Sequence, residues 1–192
     1  MSKSRRRRST DRQPQRPLIC RRHPKRTDPV YSIYATKRLL DRLQEPIASS
    51  APGATTKLGN WYAKPLFWRP QYALFVNEAT FLPVFATLAP ASSLASRFPD
   101  ELATTLRAHD VPEPFIRDEL LAMDDVSVSK TNNRRLVGIL NELAIMAERM
   151  RNYHPHLTPI HLAKELAQVP LGLSGGDVRV PEESLRTLVA AV

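Results

Sequence analysis

Cysteine and glycine are scarce in this sequence: there is one Cys, Cys20, and there are six glycines in 192 residues. A lone thiol excludes a disulfide within the chain and any cysteine-built zinc site, and it fits a reducing compartment such as the cytoplasm. The glycines form neither a GxGxxG nor a GxxxxGK series, so the glycine-rich phosphate loops of dinucleotide-binding and P-loop proteins are excluded. No GxSxG elbow is present, and Cys20 sits in a polar, proline-interrupted setting that does nothing to activate a thiol. No apolar run approaches the roughly 18 residues that a membrane-spanning helix needs. Near the N-terminus there is no apolar stretch of the kind a secretory signal requires. Pro14, Pro17 and Pro24 argue against an amphipathic mitochondrial presequence.

What the sequence has in excess is positive charge, confined to one end. Residues 1–28 hold eleven Lys and Arg against two acids, Asp11 and Asp28, which accounts for the whole formal net charge of +9. Beyond Asp28 the two signs balance at 17 each. The basic segment, with almost no apolar residues, cannot bury enough surface to offset ordering entropy, and is read as a disordered arm. Its Arg5, Arg6, Arg7, Arg8, Arg21, Arg22, Lys25 and Arg26 suit sequence-independent contact with nucleic-acid phosphates, sensitive to salt. The competing reading is a solubilising leader or a misassigned start codon.

From residue 29 the composition turns globular, with 42% hydrophobic residues over the chain as a whole. A short strand, Tyr31–Ala35, precedes a helix with Thr36 as N-cap and Leu39, Leu40 and Leu43 as its apolar stripe. The stretch Ser49–Thr56 is a loop by composition. Three strands follow, at about Asn60–Phe67, Tyr72–Asn77 and Phe81–Ala86, separated by Arg69-Pro70-Gln71 and by Asn77-Glu78-Ala79-Thr80. Pro65 and Pro83 push their strands toward a sheet edge or a bulge. The aromatic residues clustered here read first as a buried sheet face. A base-stacking face is the sharper alternative, kept open by nearby Lys57, Lys64 and Arg69.

The remainder reads as helical. Pro99 suits a first helical position, with Asp100 and Glu101 at the positive end of the dipole. A second helix carries Phe115, Ile116, Leu120 and Met123, and the six acids between Asp110 and Asp125 read as its solvated face. A short strand, VSVSK, then runs into KTNNRRLVGILNELA. Thr131, Asn132 and Asn133 are capping residues, while Leu136, Leu140, Leu143, Ala147 and Met150 form a buried stripe. Arg134, Gly138, Asn141 and Ile145 share another side of this helix. In one reading Gly138 allows close packing on the sheet and Asn141, on a partly buried side, ties down a neighbour. In the other, Lys130, Thr131, Asn132, Asn133 and Arg134 form an anion pocket at a positive helix end with Asn141 on its wall. His154, His156 and His161 have ligand-like spacing, but Pro155 and Pro159 place them in a connection capped by Thr158, so no metal is assigned and no cofactor is expected. A last helix starts at Pro181, after the Gly175-Gly176 break, and its apolar end, Leu188–Val192, docks on the core or meets a partner.

The order TKRLLDRL, LGNWYAKPLF, YALFVNEATFLPVF, KTNNRRLVGILNELA resembles a bacterial family of small proteins known only as a domain of unknown function. The likeness spans about Tyr31 to Leu171. It falls on Thr36, Lys37, Leu58, Gly59, Trp61, Leu74, Phe75, Val76, Asn77, Lys130, Thr131, Arg134, Gly138 and Asn141. It implies one compact domain and brings no catalytic mechanism.

The expectation is therefore an α+β fold: a small, mostly antiparallel sheet covered by about five helices, forming a single domain over 29–192 behind the disordered arm. The leading function is a non-enzymatic cytoplasmic binding protein with nucleic acid as ligand. One alternative is an enzyme acting on a nucleotide or nucleic-acid phosphate at the Lys130–Asn141 site. Another is a protein-interaction module from a plasmid-borne or defence-type pair.

Overall fold

A computed structural model of the chain describes residues 30–43, 46–48, 53–172 and 178–191. The basic arm, part of the Ser49–Thr56 loop and the Gly175-Gly176 break lie outside these residues. The fold is α+β, as the sequence implies. Five strands, β1 (Val30–Ala35), β2 (Trp61–Leu66), β3 (Tyr72–Asn77), β4 (Pro83–Thr87) and β5 (Asp125–Lys130), form one sheet in the order β4-β3-β2-β1-β5. Its β2-β3-β4 half is antiparallel, and its other half, β2-β1-β5, is parallel. The tight turns after β2 and β3 dictate antiparallel pairing. The helices preceding β2 and β5 allow the chain to return in the same direction. A two-stranded antiparallel ribbon, β6 (Leu171–Gly172) with β7 (Val178–Arg179), completes the strands.

Among the described residues six α-helices cover both faces. On one side lie α1 (Lys37–Leu43), α2 (Leu94–Ala108), α3 (Glu113–Leu121) and α6 (Pro181–Ala190). They meet Ile33, Trp61, Phe75 and Val84 through Leu39, Phe98, Leu102, Ile116 and Leu185. On the other side lie α4 (Arg134–Tyr153) and α5 (Pro159–Ala167), which pack Leu136, Leu140, Leu143 and Leu162 on Tyr62, Leu74 and Val76. Because both faces are covered, β3 reads as a continuous apolar run with no alternation. Phe98 anchors the first core, stacking on Phe75 at 4.2 Å and meeting Trp61 edge-on at 5.0 Å. Trp61, Tyr62, Phe75 and Phe81 are all buried, so most of the aromatic cluster is core and not a stacking surface. The end of α6 docks on this core through Leu188 and Val189.

Several expectations need correction. Helix α2 begins at Leu94, so Pro99 lies inside it. The reason is the apolar stripe, which starts earlier than Pro99: Leu94, Phe98, Leu102 and Leu106 recur every four residues, and all are buried. Proline has no N–H for the carbonyl four residues back, that of Ala95. The Tyr31 hydroxyl donates to that carbonyl instead, at 3.3 Å. Glu119, expected on a solvated face, is fully buried and accepts from the Lys57 and Leu58 amides at 2.8 and 3.1 Å. Phe81 belongs to the β3–β4 turn, not to a strand. It takes a positive φ of 63°, while the buried Asn77 side chain accepts from the Ala79 and Thr80 amides and donates to the Leu58 carbonyl. Pro83 does lie on an edge strand, but Pro65 is on the interior strand β2.

Pro65 is tolerated there because of register, and the same register makes the site. Strand β1 pairs with β2 from Ile33 opposite Trp61 to Ala35 opposite Ala63 and no further. Strand β2 continues against β3 for three further residues, Lys64, Pro65 and Leu66. Beyond Ala35 the chain turns away into α1, with the Thr36 amide bonded to the Ala63 carbonyl at 2.9 Å. The overhang of β2 is thus open on its β1 side, where a proline needs no ladder partner.

Candidate functional site

The overhang forms the floor of a cleft of about 560 Å³. Its walls are the start of α1 (Thr36, Lys37, Arg38), the end of β2 with Phe67 and Trp68, and Val137, Asn141, Ala144, Ile145 and Glu148 of α4. The carboxyl ends of β1, β2 and β5 all point to this end of the sheet, the usual location of ligand sites in open sheets with parallel strands. Its volume falls in the range of small-molecule sites.

Lys64 is the central polar group. Period-two alternation puts it on the same side of β2 as Tyr62 and Leu66, facing α4. Its ammonium donates to Asn141 Oδ1 at 2.7 Å. Among the described residues this partner is a neutral amide, not a carboxylate. Burial holds the Lys64 ammonium below the ordinary lysine range; the neighbouring Arg38 charge adds to the effect, and Glu148 opposes it. Lys37 forms an exposed pair with Asp41 at 3.0 Å, which screening makes weak. The lining thus carries Lys37, Arg38 and Lys64 against one acid, Glu148. Thr36 also lines the cleft, but its hydroxyl oxygen is buried and has no partner among the described residues, so the side chain does not cap α1 as the sequence suggested.

The aromatic wall is of two kinds. Trp68 is buried, stacked on Phe85 at 5.8 Å with the Arg151 guanidinium 5.1 Å over its ring. Phe67 is 51% exposed, with the Arg42 guanidinium 5.3 Å over its ring and Arg42 itself held by Gln71 at 2.9 Å.

Of the anion-pocket residues expected from the sequence, Lys130, Thr131, Asn132, Asn133, Arg134 and Asn141, the structure brings only Asn141 into the cleft. Asn133 is the N-cap of α4: its Oδ1 accepts from the Arg135 and Leu136 amides at 3.0 and 3.3 Å, as N-cap side chains do. Asn132 accepts the Tyr62 hydroxyl at 2.7 Å. Burial, with Glu78 and Tyr34 nearby, raises the Tyr62 phenol above its ordinary range, so it remains a donor. Thr131 continues the parallel ladder, its amide bonded to the Ala35 carbonyl at 3.2 Å. Lys130 and Arg134 are exposed and do not line the cleft. Arg134 starts α4 seven residues before Asn141, about 10 Å along the axis. Gly138 and Asn141 are both exposed, and a Cβ on Gly138 would meet nothing within 4 Å, so close packing is not why a glycine stands there.

Sequence reasoning missed Thr36, Lys37, Arg38, Lys64, Phe67 and Glu148 as one group. The alternation Tyr62-Lys64-Leu66 was the available signal, since a lysine on an inward-facing strand position is unusual. The three histidines are exposed; His161 Nδ1 lies 2.9 Å from the Thr158 hydroxyl that caps α5. Among the described residues no three His, Cys, Asp or Glu side chains are grouped so as to hold a metal. No helix among them is long and apolar enough to cross a membrane.

A family model described as a domain of unknown function, DUF6933, matches residues 32–184. The match covers every element that builds the cleft and runs on into α6. No curated protein and no solved structure matches the chain.

Proposed function

The chain belongs to the DUF6933 family, a domain of unknown function, and we propose that it is a binding protein whose cleft takes the phosphate of a nucleotide, free or within a nucleic-acid strand. The observation that carries this reading is the Lys64–Asn141 pair: a half-buried ammonium held by a neutral acceptor, in a lining that is cationic on balance. An anion entering the cleft gains a charge-assisted hydrogen bond without first displacing a carboxylate. Arg38 adds a second charge on the α1 wall. Among the described residues the lining contains no His, Cys or Ser and a single carboxylate, Glu148, so binding fits it better than acid–base or nucleophilic catalysis. The basic arm supplies a second, non-specific contact with a polyanion, and the cleft supplies the selective one.

Separating the two contacts is the test. In the full-length chain, Arg5, Arg6, Arg7, Arg8, Arg21, Arg22, Lys25 and Arg26 are replaced by serine, which brings the arm close to neutral, and Lys64→Ala is compared in both backgrounds by fluorescence anisotropy with a labelled single-stranded oligonucleotide. Binding that survives arm neutralisation, falls at least fivefold with Lys64→Ala, and loses about 0.7 from its salt slope supports the cleft. Binding that disappears with the arm, or is indifferent to Lys64→Ala once the arm is neutralised, refutes it.

A further inference from the structure

Resting on the phosphate reading, we infer that the cleft's ligand carries an unstacked nucleobase, and that the Phe67 ring is its platform. Strand alternation buries Leu66 and Trp68 in the α4-side core and turns Phe67 the other way, so core packing does not require a ring there. It is nevertheless a phenylalanine, 51% exposed, at the rim of the cleft. An exposed aromatic side chain beside a cationic cleft is a common feature of surfaces that stack bases while a groove holds the backbone.

The ring is also fixed in place. Arg42 lies over one face, 5.3 Å from the centroid, and is tied by its Nη1 to Gln71 Oε1 at 2.9 Å. A ring braced on one face by a cation loses little freedom when a base covers the remaining surface. Lys64 and Phe67 leave opposite faces of the strand about 10 Å apart along it, but the β1-side edge is open there and both line the cleft, so a ligand that crosses this edge meets both. A duplex hides its base faces in its own stack. The chemistry that satisfies both contacts is therefore a phosphate joined to a free base, from a single strand or from a mononucleotide.

The full-length chain carrying the serine-substituted arm is titrated with four probes: oligo(dT), an abasic deoxyribose-phosphate oligomer of equal length, a blunt duplex, and TMP. Phe67→Ala should weaken oligo(dT) binding about tenfold and leave the abasic oligomer unaffected, while Phe67→Tyr retains oligo(dT) binding. Lys64→Ala should weaken both oligomers. If Phe67→Ala has no effect on oligo(dT), or the same effect on the abasic oligomer, the platform is overturned while the phosphate reading stands. If Lys64→Ala is also without effect, both fall. Duplex binding as tight as oligo(dT) binding overturns the platform as well. TMP binding that depends on Phe67 assigns the base to a free nucleotide; Phe67-dependent binding of oligo(dT) alone assigns it to a strand.

Discussion

His109 makes the stability of this protein depend on pH in a way that can be calculated. It ends α2, is buried, and neither ring nitrogen has a partner among the described residues. The charges around it come from three elements: Glu182 and Arg186 of α6, Lys164 of α5, and Asp110 beside it. Burial holds the imidazole below the ordinary histidine range. Lys164 and Arg186 push the same way, and Glu182 and Asp110 oppose them. A lowered folded-state value means that the neutral ring is the folded form. Its contribution is fully present above the unfolded value of about 6.5, and it is lost as pH falls from there through the folded value. The slope cannot exceed one proton, about 1.4 kcal/mol per pH unit, so lowering the pH to about 5 removes at most about 2 kcal/mol. His109→Leu removes the titration and the unpartnered nitrogens together. Urea unfolding of the native chain and the variant across this range gives the difference directly, because the carboxylates common to both cancel. The variant should gain on the native chain by up to about 2 kcal/mol as pH falls. Parallel stability curves would show that the ring is solvated or hydrogen-bonded and would refute the argument.

Other substitutions probe the remaining packing claims. Gly138→Ala should raise the urea midpoint by the equivalent of about 0.5–1 kcal/mol, because the added methyl meets nothing and the helix gains propensity; an unchanged or lower midpoint would mean that something presses on that position. Glu119→Ala strands the buried Leu58 amide and the partly buried Lys57 amide and should cost roughly 2–4 kcal/mol, with Glu119→Gln costing less, measured the same way. Tyr31→Phe should cost about 1 kcal/mol, and less in a Pro99→Ala background, where the new N–H can take the Ala95 carbonyl. Equal costs in the two backgrounds would sever the link between the hydroxyl and the proline.

The element-by-element outline was legible because its signals are local. Strand β3 is bounded by turn residues at both ends, and Asn133 and Thr158 cap the helices where such side chains are expected. What the sequence hid is non-local. Nothing near Tyr31 announces that β5, some ninety residues later, runs parallel beside it. Nothing near Pro99 announces a hydroxyl from β1 to serve the carbonyl it frees. The buried Glu119 reads as one more surface acid until the Lys57 and Leu58 amides are brought to it across the chain. The site followed the same rule. Asn141 was visible because an amide within a helix stripe stands out, but its partner Lys64 lies 77 residues away on another element. The capping run Thr131-Asn132-Asn133 drew attention to a helix end whose side chains the fold uses internally. The cleft itself exists because β2 outruns β1, and that is a matter of register.

The most direct measurement is a nuclear magnetic resonance titration of the isotope-labelled full-length chain with a single-stranded oligonucleotide. If the cleft holds the phosphate, the amide and side-chain signals of Arg38, Lys64, Phe67 and Asn141 shift together and saturate with one affinity. Shifts confined to residues 1–28, with the Lys64 and Asn141 signals unmoved at saturation, would contradict it.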